Sequence, residues 1–344
     1  MTVRLLSTLE HQEVVQQVCL HRFGPYLAVV TRNNKDCTIR CTIYGIDSTG
    51  QLSRLWEVRE HYSEDMFRWS SYYAGRCVFT PDKSAVVSMP VRPLALINFE
   101  TGETTSFGDP TDYRPALVIA PDGTWVAYTF GKDNTFGESE LESGFRIDSL
   151  TDFACRTITH RREICPPDGG QYEPLAIHPS GQLLAVSYNI GYGPGRVDLF
   201  RWSSGSIIEW QSVIYEDEFK HVGGLGFDAA GHYLGVSAQS DSQASVDVID
   251  LQRRDQMTLY EEDSPVLLYT GWFVIPDRII FLGSAAAVVC HLSGSVSIKE
   301  LASGIIREQW RAHNTSIVSI DFQPLGKFLA TADRAGTVKI WLME

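Results

Sequence analysis

Aromatic and arginine side chains are concentrated in one stretch, residues 61–75, which reads HYSEDMFRWSSYYAG. Tyrosine, tryptophan and arginine are the residue types that dominate the binding energy of protein interfaces. Two interpretations remain open: the rings fold back over the protein's own core, or they form part of a partner-binding surface. The residues predicted to bind, in this stretch and in later ones, are Tyr62, Phe67, Arg68, Trp69, Tyr72, Tyr73, Tyr113, Arg114, Tyr172 and Tyr192.

The sequence lacks the residue patterns of common catalytic and metal sites. Nine histidines are scattered without an HExxH pair, and there is no GxSxG elbow, P-loop or GxGxxG after a strand. The glycine-rich run at residues 191–195 is followed by no helix that could present backbone amides to a phosphate. We therefore predict no catalytic residue, no metal site and no cofactor.

The cysteines and the hydropathy pattern bear on the compartment. Seven cysteines without a CxxC pair favour reduced thiols over a disulfide framework. Cys37 and Cys41 lie on the predicted strand 37–46 and should share a face, where packing is favoured over metal binding. No segment resembles a signal peptide, and no apolar run approaches the ~18 residues of a membrane helix. We expect a soluble, cytoplasmic protein.

The charge of the chain restricts its partners. The net charge is −13 and no basic run exceeds two residues, which argues against nucleic acid and anionic membranes as partners. Acidic runs at residues 138–142 and 261–263 are explained by a solvated surface, or by attraction to a basic partner or a weakly bound cation. Neither run has the ligand spacing of a calcium loop.

One local pattern recurs seven times along the chain. Each copy has an apolar residue four positions before a turn anchor and another three positions after it. This spacing predicts two short antiparallel strands joined by a turn. The anchors are Gly24, Lys83, Gly123, Gly181, Gly231, Ser284 and Gly326.

The last copy, residues 313–342, is the most regular and resembles the WD-repeat family of β-propellers, in which each repeat is one four-stranded blade. The resemblance implies an all-β, seven-bladed β-propeller of antiparallel blades. It also implies a structural hydrogen-bond network of His, Ser or Thr, Asp and Trp, whose positions His313, Thr331 and Trp341 match. The aspartate position is Ala335, so the network is either broken or completed by Asp333.

The repeats divide the chain into blades within one predicted domain of residues 1–344. The last copy has only three strands, and residues 3–11 resemble the family's fourth strand. Pairing this N-terminal strand with the C-terminal blade closes the ring and removes exposed sheet edges. The predicted blades are residues 15–58, 76–107, 115–160, 172–215, 223–260, 265–310 and 313–342, the last completed by residues 2–9.

The lengths of the connections distinguish the two faces of the ring. In each blade the first-to-second and third-to-fourth turns lie on one side, the tight-turn face. The second-to-third loops and the blade connectors lie on the other side, the loop-rich face. All five long segments belong to the loop-rich face, and we place recognition there because loops of variable length commonly carry function. These segments are residues 61–75, 108–114, 131–143, 161–173 and 189–195.

The favoured hypothesis is a non-catalytic scaffold that binds a protein or peptide on the loop-rich face, either alone as a monomer or as a subunit of a hetero-complex. The alternative is a propeller enzyme or small-molecule binder with its site at the mouth of the central channel. His221 and Arg114 are the main polar candidates for such a site. A third hypothesis is a structural subunit whose ring edge is buried.

Overall fold

The computed structural model describes residues 2–63, 75–90, 92–108, 116–131, 143–151, 155–159, 171–189, 195–203, 206–217, 221–240, 243–263 and 279–344. Within these residues, 28 strands form seven four-stranded antiparallel sheets. The all-β, seven-bladed propeller predicted from the repeats is confirmed. Segment 264–278, which includes the start of the predicted sixth blade, lies outside the described residues.

The strands follow one another in chain order within each blade, apart from the first strand of the chain. That strand, β1, spans Val3–Glu10. Blade 1 contains β2 (Val14–Leu20), β3 (Tyr26–Asn33), β4 (Thr38–Ile46) and β5 (Leu52–His61). Blade 2 contains β6 (Arg76–Phe79), β7 (Ser84–Ser88), β8 (Leu94–Asn98) and β9 (Thr104–Phe107). Blade 3 contains β10 (Leu117–Ile119), β11 (Trp125–Gly131), β12 (Ser143–Ser149) and β13 (Cys155–Thr159).

The remaining blades repeat this order. Blade 4 contains β14 (Gln171–Ile177), β15 (Leu183–Asn189), β16 (Gly195–Ser203) and β17 (Ser206–Asp217). Blade 5 contains β18 (His221–Phe227), β19 (Tyr233–Gln239), β20 (Gln243–Asp250) and β21 (Asp255–Asp263). Blade 6 contains β22 (Ile279–Leu282), β23 (Ala286–Cys290), β24 (Ser295–Glu300) and β25 (Ile306–Arg311). Blade 7 contains β26 (Ile317–Gln323), β27 (Phe328–Asp333), β28 (Thr337–Met343) and β1.

The ring closes through β1, as the sequence predicts. β1 pairs antiparallel with β28, from Val3 opposite Met343 to Glu10 opposite Thr337. Just beyond this ladder, Thr2 and Glu344 exchange two backbone hydrogen bonds, both of 2.8 Å. The outer edge of the C-terminal blade is therefore covered by the start of the chain.

The core is divided among the junctions between blades. Seven clusters of buried side chains are present among the described residues, and each joins two neighbouring blades. One of them, between blades 7 and 1, packs Val338 and Ile340 against Val15 and Leu27. Because each sheet has apolar residues on both faces, a blade buries them only when it has a neighbour on each side.

One part of the cysteine prediction needs a correction. Cys37 lies before β4 in a turn, with a φ of 49°, so it does not share a strand face with Cys41. Both nevertheless pack in the core between blades 1 and 2, where Cys41 also interacts with Cys77 and Cys19. A hydrogen bond with Cys41 and burial together raise the pKa of the Cys77 thiol. The sequence could not reveal this contact because it joins two blades.

The described residues contain no helix of the length and apolar character needed to cross a membrane.

Candidate interaction face

Of the residues predicted to bind at the loop-rich face, the structure describes two. Tyr62 follows β5, and Tyr172 lies within β14, where only its backbone is described. The others lie outside the described residues: Phe67, Arg68, Trp69, Tyr72, Tyr73, Tyr113, Arg114 and Tyr192. What the structure adds is the way in which the aromatic segment is attached to the ring.

Tyr62 fixes the beginning of this segment. Its backbone N–H donates a 2.9 Å hydrogen bond to the carbonyl oxygen of Cys37, across the end of the β4–β5 pair. Its side chain packs against the core cluster between blades 1 and 2. Burial raises the pKa of the Tyr62 hydroxyl, and this hydroxyl has no hydrogen-bond partner among the described residues. Tyr62 therefore covers the core, which is the first of the two interpretations offered for the aromatic rings.

Gly75 fixes the end of the segment. Its N–H donates a 3.2 Å hydrogen bond to Gln16 Oε1, and the N–H of Cys77 donates a 2.8 Å bond to Gln17 Oε1. A Cβ atom at Gly75 would lie 2.8 Å from Ile39 Cγ2, so only glycine fits without displacing the core. Both ends of the intervening stretch are thus held against blade 1.

A buried ion pair lies at the loop-rich end of blade 1. Glu13 is buried, and its carboxylate lies 3.0 Å from an Arg40 guanidinium nitrogen. The hydroxyl of Thr31 donates a short hydrogen bond to the same carboxylate. Burying a carboxylate requires such partners, and removing one of them would be costly. Arg40 occupies an interior position of a predicted strand, which is the sequence signal that could have indicated this pair.

Exposed ion pairs surround the attachment of the aromatic segment. Arg59 lies 3.6 Å from Asp36, and Arg92 lies 3.1 Å from Glu60. The second pair connects blade 1 to blade 2. Each pair contributes little to stability because water screens it. Their positions nevertheless make the rim of this junction polar and locally balanced in charge.

The acidic run at residues 261–263 ends β21 at the same face. Glu262 Oε1 accepts a 2.7 Å hydrogen bond from the N–H of Leu292, which belongs to blade 6. Part of this run therefore joins two blades, a role that neither sequence interpretation anticipated. The acidic residues 138–142 lie outside the described residues.

A hydrogen-bonded network lies within blade 7. His313 Nε2 is 2.7 Å from Thr331 Oγ1, which also accepts a 2.9 Å hydrogen bond from the indole of Trp341. His313 Nδ1 lies 3.3 Å from Asp333 Oδ2. Asp333 therefore takes the place of the missing aspartate, which is the second of the two alternatives that the sequence leaves open. All four residues are buried, so their roles concern structure rather than a ligand.

The first strands of the blades, which line the centre of the ring, carry mainly apolar side chains. Their partly buried positions include Val78, Val118, Ile280 and Val318. His221 begins β18, but its side chain is not described, and Arg114 lies outside the described residues. In the described ranges, no group of three or more His, Cys, Asp or Glu side chains is arranged to hold a metal ion.

Comparison with known proteins identifies one segment of the chain. The family model "WD domain, G-beta repeat" matches residues 305–341, from the last strand of blade 6 through the third strand of blade 7. This segment overlaps residues 313–342, the most regular repeat of the sequence. No curated protein matches the chain.

Proposed function

We propose that this chain, a seven-bladed β-propeller of the WD-repeat family, is a non-catalytic scaffold that binds a protein or peptide on its loop-rich face. Propellers of this family typically bind protein partners. The proposed contacts are made by Phe67, Arg68, Trp69, Tyr72 and Tyr73. Residues Tyr113, Arg114, Tyr172 and Tyr192 extend the surface across blades 2 to 4.

The observation that carries this proposal is the attachment of the aromatic segment at both ends. Tyr62 and Gly75 are each hydrogen-bonded to blade 1, and both pack against the core between blades 1 and 2. A segment held at both ends loses less conformational entropy on binding than a free one. Large aromatic side chains mounted in this way are suited to act as interface anchors.

Tyr62 has a supporting role in this proposal. Since its ring packs on the core, it positions the segment rather than contacting the partner directly. The net charge of −13 favours association with a basic partner through long-range attraction. Binding should therefore weaken as the salt concentration rises, because salt screens charges separated by more than about 10 Å at 0.1 M.

Affinity capture followed by direct titration tests the proposal. The intact protein and an Arg68→Glu, Trp69→Ala, Tyr72→Ala variant are compared, with circular dichroism to check that both are folded. A control variant carries Arg253→Glu and Ile305→Ala, two exposed residues at the tight-turn face of blades 5 and 6. We expect a stoichiometric partner that the intact protein and the control retain and the triple variant loses.

The captured partner is then purified and titrated against each variant by calorimetry. Truncation of interface anchors should weaken binding by about 2 kcal/mol or more, which is roughly thirtyfold. Equal affinity for the intact protein and the triple variant would remove the proposed surface. Failure to recover any stoichiometric partner would contradict the scaffold function.

A further inference from the structure

Two neighbouring turns on the tight-turn face expose large apolar side chains. Phe23, in the first turn of blade 1, is 52% exposed, and Leu325, at the same position in blade 7, is 72% exposed. In blades 2 and 3 this position is an aspartate that supports the turn. Asp82 accepts a 2.9 Å hydrogen bond from the N–H of Ser84, and Asp122 accepts a 3.0 Å bond from the N–H of Thr124. Neither burial nor hydrogen bonding within the turn explains why apolar side chains stand at positions 23 and 325.

The two turns are locked side by side. The buried amide of Gln323 donates a 2.9 Å hydrogen bond to the carbonyl oxygen of His21 and a second, short one to that of Gly24. Its oxygen accepts a 3.1 Å hydrogen bond from the N–H of Gly326. One side chain of blade 7 therefore holds both turns. The apolar pair is preorganised, so a ligand would not have to order it.

The exposed Pro25 and the half-buried Tyr26 continue this surface towards blade 2, and the buried rings of His21 and Phe99 pack beside Tyr26. The Phe23 ring centroid lies 6.4 Å from that of His21, His21 lies 5.5 Å from Tyr26, and Tyr26 lies 4.9 Å from Phe99. Tyr26 and Phe99 line an open groove of about 550 Å³ between blades 1 and 2. The groove is also lined by Pro25, Ile46 and Leu55, of which Leu55 is 46% exposed.

Charges of opposite sign lie at the two ends of this surface. At the inner end Arg22 lies 5.7 Å above the Phe23 ring, and Lys327 follows the turn that carries Leu325. Both cations are exposed, and within the described residues neither forms an ion pair. At the outer end the groove is lined by the carboxylates of Asp47 and Glu100, of which Glu100 forms an exposed ion pair with Lys83. A hydrogen bond from the Thr49 hydroxyl, with others from nearby backbone N–H groups, lowers the pKa of Asp47 and keeps it ionised.

We propose that the tight-turn face of blades 7, 1 and 2 binds an extended segment of a partner protein. An acidic residue of that segment pairs with Arg22 and Lys327, apolar side chains pack on Phe23 and Leu325 and enter the groove, and a lysine or arginine pairs with Asp47. This surface lies opposite the loop-rich face and does not depend on the function proposed above. The order of charges fixes the direction in which the segment runs.

Three features favour a peptide segment over other occupants. The surface extends across parts of three blades, which is longer than a small molecule needs. The Asp47 carboxylate at its outer end and the net charge of −13 would repel the phosphates of a nucleic acid. A second copy of this chain carries a net charge of −13 and would be repelled at long range. An extended peptide with charges of both signs can pair with the cations at the inner end of the surface and with the carboxylate at its outer end.

The test uses a displayed library of random heptapeptides selected against the intact protein. Three variants are then compared by fluorescence anisotropy with the selected peptides. The first is Phe23→Asp with Leu325→Asp, which introduces the residue found in blades 2 and 3 and should leave the turns folded. The second is Arg22→Glu with Lys327→Glu. The third, Ile305→Asp, removes a 61% exposed apolar side chain outside the surface and is the matched control.

We expect enriched peptides to carry an apolar centre with an acidic residue on one side and a basic residue on the other. The first two variants should each bind at least about tenfold more weakly, and the control should bind like the intact protein. The Arg68→Glu, Trp69→Ala, Tyr72→Ala variant should also bind these peptides normally, which separates this surface from the loop-rich face.

Three results would overturn the proposal. The first is the absence of any enriched peptide. The second is enriched peptides that bind the Phe23→Asp, Leu325→Asp variant as well as they bind the intact protein. The third is a dimer of the intact protein, seen by light scattering, that this variant abolishes, because the occupant would then be a second copy of the chain.

Discussion

At the scale of single residues, polar side chains stabilise this molecule where they are buried in complete networks. His313 illustrates the principle, because Thr331, Asp333 and Trp341 surround it inside blade 7. The four residues come from one loop and two strands, so the network links the start of the blade to its second and third strands. A neutral imidazole suits this buried position better than a charged one, since burial penalises the charged form.

Stability should depend on the protonation of His313. Burial lowers the pKa of His313 from 6.5 to about 4, even though Asp333 acts in the opposite direction. Below pH 6.5 the unfolded chain therefore binds a proton that the folded protein does not. The free energy of unfolding should fall as the pH decreases from 6.5 towards 4, with a contribution from His313 of about 2 kcal/mol at pH 5.

A His313→Gln variant isolates this contribution in urea denaturation at pH 7 and pH 5. The variant should be less stable than the intact protein at pH 7, because it loses hydrogen bonds of the network. Its stability should nevertheless decrease less between pH 7 and pH 5. Identical decreases in the two proteins would show that folding does not lower the pKa of His313.

At the scale of strands and turns, one contact recurs where a blade meets the next connector. The N–H of His313 donates a 2.9 Å hydrogen bond to the carbonyl oxygen of Gly294 in blade 6. The N–H of His11 donates a 2.9 Å bond to that of Gly336 in blade 7. His11 and His313 thus occupy equivalent positions, although only the contact of His11 joins opposite ends of the sequence. The turn glycine lets the connector approach closely.

Gly336→Ala should be far more destabilising than an alanine at a turn glycine in open space. Gly336 has a φ of 93°, and a Cβ there would lie 2.3 Å from the backbone oxygen of His11 and 2.7 Å from that of Glu13. Gly102 also has a positive φ, of 76°, but a Cβ there would meet nothing within 4 Å. We expect a loss of about 1 kcal/mol for Gly102→Ala from backbone strain alone, and about 3 kcal/mol or more for Gly336→Ala.

Urea denaturation of the two variants measures this difference. Both substitutions place the same side chain on a left-handed residue, so the excess loss in Gly336→Ala reports the contact with the connector. Equal losses would mean that the connector moves aside at little cost and that the close approach does not contribute to ring closure.

The sequence predicts the features that depend on local pattern. Alternating apolar residues and turn anchors indicate the strands within each blade, because a half-buried strand has a period of two. Contacts between blades are not predicted, since they depend on how two distant segments are set against each other. The Cys41–Cys77 contact, the Gln323 bridge and the Glu13–Arg40 pair all belong to this class. For the candidate site, residue types indicated the aromatic segment, but only the structure revealed its attachment through Gln16 and Gln17.

At the scale of the whole molecule, stability depends on closure of the ring. In addition to their shared apolar core and the Gln323 bridge, blades 7 and 1 are joined in two ways. β1 completes the sheet of blade 7, and side chains of β26 bind the first strand of blade 1. In the second link the N–H of Val18 donates a 3.0 Å hydrogen bond to Ser319 Oγ, and the N–H of Leu20 donates a 2.6 Å bond to Asp321 Oδ2. These two links both hold the ends of the chain together.

Removal of residues 1–10 should open the edge of blade 7. The backbone of β28 would lose the partner to which it is paired from Thr337 to Met343, and an unpaired edge strand favours association with other chains. We expect the truncated protein to unfold at a temperature lower by about 10 °C or more, or to aggregate. Differential scanning calorimetry and light scattering measure the two outcomes.

A circular permutant keeps β1 but cuts its covalent connection to blade 1. It therefore distinguishes the effect of losing the strand from the effect of losing that connection. Because Thr2 and Glu344 exchange both backbone hydrogen bonds, an Asn-Gly linker can join them as a two-residue hairpin turn, with the chain now beginning at His11. The strand then pairs with β28 as before, and the hydrogen bond between His11 and Gly336 remains available to the new N-terminus. We expect the permutant to unfold within about 5 °C of the intact protein, since it retains every contact of the closed ring. If the truncated protein proved as stable as the permutant, β1 would not be the element that closes the ring, and the side-chain bonds between β26 and β2 would have to suffice.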